Sequence, residues 1–511
     1  MPVPASFAVP RGLRPPHPIP RRPDWRDRIA ALNARVHHDL QIMVYPKDDW
    51  VLPRTGPAGE PVYDVAIIGG GQSGLSIAYA LRKEHVGNVI ILDQSPKGRE
   101  GPWITYSRMW TLRSPKHLTG PDLGMPSLAP RSWFEAVYGE DGWDELVRWP
   151  RLDWQDYLDW YRDVLDLPVV NDARVDTIEE DPAGVRLSVN CDPATGEPGR
   201  TVLARRLVLA TGIEGMGGWW VPPFVKDKLP PSRWTLCTDS VDSADWAGQR
   251  IGLIGAGATG WDRAADLLEQ GAASVTMYMR RNEVLYANAF RYLEKAGFLR
   301  HYASLPDADK WRWMTSIFRF GQPPTQDGLN RCAAFDSFTL HAGATWADCR
   351  EVDGEIEIVG SDGSLDRFDH LFIGCGFSMD AHFRPELAPF ADQIALWRDV
   401  VPEARAEAGK EWLAEWPYLD TDLTFTERTP GAAPILKKIH CFNYGATMNN
   451  AHSGASLSGM RYGMEPLIHG LTRALWDADD AAHFRITDAW NEIDTDPAPI
   501  RARIRRIRAA E

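Results

Sequence analysis

The sequence predicts an α/β fold made of two copies of one unit, a strand, a glycine loop and a helix, with the second copy inserted into the first. Three observations predict it. The apolar run Tyr63-Asp64-Val65-Ala66-Ile67-Ile68 meets Gly69-Gly70-Gly71-Gln72-Ser73-Gly74 and then a helical pattern to about Lys83. The same order returns where Arg250-Ile251-Gly252-Leu253-Ile254 leads into Gly255-Ala256-Gly257-Ala258-Thr259-Gly260 and a helix to about Glu269. Each copy closes on a short apolar strand with a terminal glycine, at Leu207 to Gly212 and at Leu371 to Gly376. Self-similarity of this kind marks a repeated structural unit.

Taken in order, residues 1 to 23 hold eight prolines, four arginines and no acid, which predicts a disordered tail rather than an export signal. Asp24 is a plausible N-cap, and Ile29, Leu32, Val36 and Leu40 recur at helical spacing, so a helix over 24–42 docks on the body. Pro53 to Pro61 is a Gly/Pro linker. Val89-Ile90-Ile91-Leu92 is a second buried strand ending at Asp93. Residues 127–166 place Trp154, Tyr157, Leu158 and Tyr161 at helical spacing. From Val169 to Leu209 the period moves toward two, with turns at 181–184 and 192–196, which predicts a meander. Residues 212–232 are a Gly/Pro-rich crossover. In the second copy Ser274 to Met279 is a strand ending at Arg280-Arg281, a Trp-containing helical section follows, and strands near 341–369 turn at Asp353-Gly354 and Asp362-Gly363. After Phe377 no third glycine fingerprint occurs. Residues 435–455 read as a strand and a polar glycine loop before a helix over Ser456 to about Trp476, and this part returns to complete the first unit.

The 511 residues, 44% hydrophobic and 25% charged, can bury a large core without disulfides. A net charge of −14 argues against a nucleic-acid partner. No apolar run approaches the roughly 18 residues of a membrane helix, so no integral membrane association is expected. Cys191, Cys237, Cys332, Cys349, Cys375 and Cys441 lie too far apart for a zinc or dithiol motif. They read as reduced thiols in a cytoplasmic protein, with no metal site.

The loops carry the chemistry. Gly69 and Gly255 permit the tight turn, Gly71 and Gly257 let backbone approach a pyrophosphate, and Gly74 and Gly260 let helix and strand pack closely. Each helix N-terminus then offers oriented N–H groups to the anion. A lone fingerprint is weak, but here both copies follow a strand and open a helix. Asp93, 19 residues beyond Gly74, suits ribose hydroxyls. Arg280, 20 residues beyond Gly260 and followed by Arg281, suits a 2′-phosphate. The first site therefore fits FAD and the second NADPH, in two Rossmann-like dinucleotide-binding domains with the NADPH domain inserted in the FAD domain. The expected division is an N-terminal extension over 1–54, FAD domain over 55–220, NADPH domain over 221–378, returning FAD part over 379–495, and a basic tail over 496–511. Arg501, Arg503, Arg505, Arg506 and Arg508 make that tail a solvated end or a contact for an acidic surface.

Over residues 60–470 these motifs resemble the class B flavin-dependent monooxygenases, which include flavin-containing monooxygenases, Baeyer–Villiger monooxygenases and N-hydroxylases. Glu100-Gly101-Pro102-Trp103 resembles the family's Gly-Gly-x-Trp, and Asp369 to Phe377 its second closing motif with Cys375 for Thr. The family's linker His and aromatic correspond to Leu236 and Ser240, and its Asn-Pro stretch to Leu112-Arg113-Ser114-Pro115-Lys116-His117. The resemblance implies an FAD- and NADPH-dependent enzyme that inserts one oxygen atom of dioxygen into a small molecule through a flavin C4a-(hydro)peroxide, with N- or S-oxygenation favoured over Baeyer–Villiger insertion. An NADPH oxidoreductase without a stable flavin peroxide, and a flavin-dependent sensor, stay open. So does a homodimer.

The resemblance further implies Ser73, Thr259, Trp103, Thr211 and Gly212 as cofactor contacts, with Gly454 and Ala455 at the flavin's pyrimidine edge. Arg113, Ser114, Lys116 and His117 are the catalytic candidates: Arg113 or Lys116 to stabilise charge on reduced flavin, His117 to carry a proton. Asn449, Asn450 and His452 are candidate polar groups on the substrate side.

Overall fold

The computed structural model describes residues 19–43, 48–117, 120–192, 195–406, 409, 411–451 and 456–503. In the first sheet five strands run parallel: Val169–Val170, Val89–Leu92, Pro61–Ile68, Pro198–Leu209 and Ile439–Cys441. Val65, Ala66, Ile67 and Leu207 to Leu209 are fully buried, as expected of parallel strands covered on both faces. Pro198–Leu209 serves two partners on one edge. Its first part pairs antiparallel with Gly184–Cys191, which pairs in turn with Val175–Asp181. Its last part, Leu207 to Leu209, pairs with the returning Ile439–Cys441. Residues 53–61, read as a linker, carry a short strand Arg54–Thr55 that folds back on Pro61–Ile68.

The second sheet is wholly parallel, in the order Trp234–Leu236, His370–Ile373, Arg250–Ile254, Ser274–Met279 and Phe338–Ala342. Its meander, Trp346–Val352, Glu355–Gly360 and Leu365–Phe368, forms a separate sheet. The chain leaves the first unit along Gly217–Trp219 and comes back along Phe377–Met379, and these two stretches pair antiparallel. A Cβ on Gly217 would lie 1.9 Å from the Ser378 carbonyl, so this double ribbon closes only around glycine.

Helix Trp25–Met43 docks on the first unit with Val36 buried and Arg28 donating to the Glu135 and Ala136 carbonyls. Beneath it, Trp133, Phe134, Trp149, Trp154, Tyr157 and Tyr161 pack ring against ring in tilted and edge-to-face pairs, with Trp149 and Trp154 rings 5.4 Å apart. Much of the tryptophan content is thus core, not pocket. The helical section of the second unit does not cover its own sheet. Phe290, Tyr302, Trp311 and Ile317 pack instead against Trp397, Leu413, Trp416 and Met448 of the returning segment. The last long helix runs Met460–Asp488, later in both start and end than the expected 456–476, with Pro466 inside it. Asp479 fixes that extension, accepting from Arg205 at 2.8 Å and Arg54 at 2.6 Å. No helix among the described residues is long and apolar enough to cross a membrane.

Candidate functional site

Both glycine loops sit at the carboxyl ends of parallel strands, between strand and helix. Gly69 has φ +109°, and a Cβ there would meet the Ala210 carbonyl at 2.4 Å; Gly255 has φ +103° and would meet Gly374 at 2.1 Å. Gly74 and Gly260 are closed against their own loops, at 1.8 Å from the Gly69 carbonyl and 2.1 Å from the Gly255 carbonyl. The middle glycines differ. Around Gly257 nothing lies within 4 Å, and Gly71 meets only the Gly101 backbone at 3.7 Å. Helices Gln72–Lys83 and Ala258–Glu269 begin at these residues with no side-chain cap. Each loop is therefore open at its middle glycine, at the N-terminus of a helix without a side-chain cap, and the residues fit a dinucleotide pyrophosphate twice. Gly212 and Gly376, with φ +71° and +97°, also face open space at the ends of the closing strands.

The strand-end residues behave differently. Asp93 folds under its loop and accepts from Gly70 N–H at 2.7 Å and Ser95 N–H at 2.7 Å. Burial pushes its carboxyl above the ordinary range, against the pull of those two bonds. Arg280 and Arg281 are exposed at the end of Ser274–Met279. Ser73 is buried in the first helix, Thr259 exposed in the second. Thr211 Oγ1 accepts from Asn443 Nδ2 at 3.1 Å, and Tyr444 N–H donates to Gly212 at 3.0 Å, so the returning segment stitches the first closing strand.

Trp103 is half-buried, its carbonyl held by Arg151. Beyond it, strand Thr111–Pro115 carries Arg113 and Ser114, both half-buried. Arg113 donates to Gln322 of the second unit at 3.2 Å, and burial holds its guanidinium below its usual value. Lys116 turns away to the end of helix Pro130–Glu145, donating to the Trp143 carbonyl at 2.7 Å with its ammonium over the Trp143 ring. His117 is exposed and faces Glu294. Gly454, Ala455 and His452 lie outside the described residues. Asn449 and Asn450, expected on the substrate side, are buried structural links: Asn449 joins Trp397 and the Leu419 carbonyl, and Asn450 donates to Gly463 at 2.7 Å.

Two groupings were not singled out from sequence. At the first, Glu294 is hydrogen-bonded to Ser458 and lies in the field of Arg291, His117 and Arg148, drawn from four parts of the chain. Burial raises its carboxyl, while the Ser458 hydrogen bond and the three basic side chains pull it down. At the second, buried arginines of one unit meet buried acids of the other along helix Ala258–Glu269. Asp262, Asp266 and Glu269 recur at i, i+4 and i+7 there, a charged stripe where an apolar one is expected, and that stripe was the available signal. A further cavity of about 320 Å³, lined by Met216, Met379, His382 and Arg428 among others, lies beside the crossover ribbon rather than between the loops.

Two family models match the chain: FAD-NAD(P)-binding over residues 66–214, and L-lysine 6-monooxygenase/L-ornithine 5-monooxygenase over residues 144–314. An FAD-dependent urate hydroxylase from Xanthomonas campestris pv. campestris is 41% identical over 456 residues, 89% of this chain and 94% of that protein. Among solved structures, the reduced ornithine hydroxylase of Pseudomonas aeruginosa superposes with TM-score 0.61 at 15% identity, covering 81% of this chain and all of that one. An ornithine N-hydroxylase of Kutzneria sp. 744, solved with reduced FAD, NADP+ and L-ornithine, gives 0.60 at 16% identity, covering 81% and 99%.

Proposed function

The chain belongs to the class B flavin-dependent monooxygenases, and we propose that its substrate is urate or a closely related oxidised purine. The enzyme uses FAD and NADPH. The observation that carries the substrate reading is the 41% identity, over 89% of this chain, with a urate hydroxylase. The group around Glu294 supports it. Arg291 and Arg148 outnumber the single carboxylate, which suits an anion, and urate is an anion at neutral pH.

FAD, when bound and reduced by NADPH, would let one atom of dioxygen pass to the substrate while the other leaves as water. The chain's own residues do the rest. Gly71 and the first helix take the FAD pyrophosphate, with Asp93 and Trp103 beside them. Gly257 takes the NADPH pyrophosphate, and Arg280 with Arg281 takes its 2′-phosphate. Arg291 and Arg148 hold the purine anion. Glu294, kept from full acidity by burial, exchanges a proton with the bound purine, and His117 passes it to solvent. Arg113 stabilises negative charge that develops at the domain interface. Work in a reducing compartment such as the cytoplasm is in line with six cysteines spread too far along the chain for a dithiol motif.

A second reading, N-oxygenation of an amine, rests on the lysine/ornithine match over 144–314. The excess of cations around Glu294 disfavours it, because an ammonium substrate would be repelled. Purified holoenzyme with NADPH, oxygen and urate decides between them. Loss of the urate ultraviolet band, matched by NADPH and oxygen consumption, is expected, and Arg291→Gln should raise KM for urate roughly tenfold with flavin reduction unchanged. NADPH oxidation that ignores urate but responds to ornithine or lysine refutes the proposal.

A further inference from the structure

The segment running from Trp103 to His117 is gripped from both units. Its own unit holds it through Arg151, which donates to the Met109 carbonyl at 2.8 Å. The second unit holds it at Arg108. That guanidinium reaches into the second unit, pairs with Asp266 at 3.0 Å and donates to the Val241 carbonyl at 2.7 Å, and both side chains are at most 6% exposed. In return, Arg331 donates to the Arg108 carbonyl at 3.0 Å while it clasps Glu269 at 2.6 and 2.7 Å. Its guanidinium also lies 4.6 Å from the Trp110 ring.

Asp266 and Glu269 occupy the last turns of the helix that begins at the NADPH loop. Twelve residues of α-helix span roughly 18 Å and do not bend under thermal forces as a loop does. One end of a rigid strut thus takes the NADPH pyrophosphate, and the other is bolted to the segment that runs along the flavin side. Asp266 is itself fixed, accepting from Ser243 Oγ at 2.6 Å, and Ser243 accepts from Arg263 at 3.0 Å. A buried pair of this kind adds little net stability, because desolvation offsets attraction. What it fixes is geometry.

We infer that Arg108 is a positioning residue for hydride delivery: through Asp266 it sets where the NADPH domain stands relative to the flavin. In that step a hydride leaves NADPH, which becomes NADP+, and FAD accepts it with a proton. Hydride transfer needs the reacting atoms closely placed, and a misplacement of about 1 Å costs up to about 100-fold in rate.

The test compares Arg108→Lys, Arg331→Lys and the double variant Arg108→Met with Asp266→Leu, all as holoenzyme. The double variant replaces the pair by apolar groups, a change buried ion pairs generally tolerate in folding. Four quantities are read: melting temperature, FAD content, NADP+ affinity by calorimetry, and the anaerobic rate of flavin reduction at saturating NADPH. Reduction is followed without urate, so failure here is separate from failure of the substrate reading. The expected result is FAD content and NADP+ affinity within about threefold of the parent, with reduction slowed roughly 10- to 100-fold in the double variant. The slowing should be smaller in Arg108→Lys, which keeps the charge, and Arg331→Lys should fall between. The NADP+-induced change in the flavin spectrum should weaken in the same order. Parental reduction rates in folded variants overturn the inference, as does a loss that only tracks melting temperature or FAD content.

Discussion

Adding one methyl group at Gly257 separates cofactor binding from folding. Its φ of −73° and ψ of 172° are open to any residue, and a Cβ would meet nothing within 4 Å. The fold therefore loses only the small advantage of glycine over alanine at a helix N-cap, about 1 kcal/mol. In a domain of this size that is a fall of roughly 2–4 °C in melting temperature. The open space that tolerates the methyl is where a pyrophosphate must approach the backbone. Displacing it forfeits at least one charge-assisted N–H bond, about 1.5–3 kcal/mol, or roughly 10- to 100-fold in NADPH affinity. FAD content serves as the internal control, because that cofactor is assigned to the other loop. Gly260→Ala should behave oppositely. Its Cβ would sit 2.1 Å from the Gly255 carbonyl, so strand and helix must part, and the domain itself should melt early. NADP+ titration calorimetry and thermal melts on both variants decide the matter. If Gly257→Ala binds NADP+ like the parent, the loop does not cradle the pyrophosphate and the assignment of the second domain fails.

Three further outcomes follow from the same geometry. Arg280→Ala should cut the preference for NADPH over NADH roughly 10- to 100-fold by weakening NADPH alone, measured as kcat/KM for each; an equal loss with both refutes the 2′-phosphate contact. His370 is buried against Thr235 at 2.8 Å, and burial lowers its value to about 4. The folded state thus keeps it neutral while the unfolded chain binds a proton below about 6.5, so stability is lost as pH falls from 6.5 toward 4, by up to about 3 kcal/mol. Urea titrations across that range should steepen at acid pH in the parent and flatten in His370→Gln. At Asp479, burial raises the carboxyl, but hydrogen bonds and charge from Arg205 and Arg54 outweigh it and hold the group below the usual range. The carboxylate's contribution is present above the ordinary Asp range and lost below it, so Asp479→Asn should destabilise the neutral protein by about 2–3 kcal/mol and remove part of its acid sensitivity.

The loops were legible because the demand on them is local. Gly69 and Gly255 need a positive φ, Gly74 and Gly260 need an absent Cβ, and each demand is met within a few residues of sequence. The buried strands were legible for a related reason, since strands covered on both faces read as continuous apolar runs. Side-chain partners across the domain boundary were not. Arg108 and Asp266 are far apart in the chain, and neither lies in a glycine motif. Lys116 shows the converse: its position beside the Arg113 strand suggested chemistry, yet its ammonium ends a helix at Trp143. The polar run at Asn449 and Asn450 was expected on the substrate side, but packing of Trp397 against the returning segment holds both in buried structural bonds. The last helix outran its expected end because Arg205 reaches it from the central sheet, a long-range contact that no local periodicity records.

Duplication gives two similar cradles, so something outside the glycines must tell them apart. The strand-end residue does so. In the first copy the acid is drawn under the loop, accepting from the Gly70 and Ser95 N–H groups. In the second copy the same place holds two exposed arginines that the described residues leave without an ion pair. Exposed, unpaired guanidinium groups cost the fold nothing and are free to meet a phosphate. A further difference is mechanical. The first helix, Gln72–Lys83, is buried in its own unit through Leu75 to Leu81 and carries no charge to its neighbour. The second, Ala258–Glu269, buries Asp266 against Arg108 and Asp262 near Arg113 of the first unit, while Glu269 pairs with Arg331 of its own unit. One copy is thus a stationary seat, and the other is an arm whose angle is fixed by charge. On the proposal that Arg108 sets the arm's angle for hydride delivery, charge-neutral repacking along the arm's buried face should slow flavin reduction before it unfolds the protein.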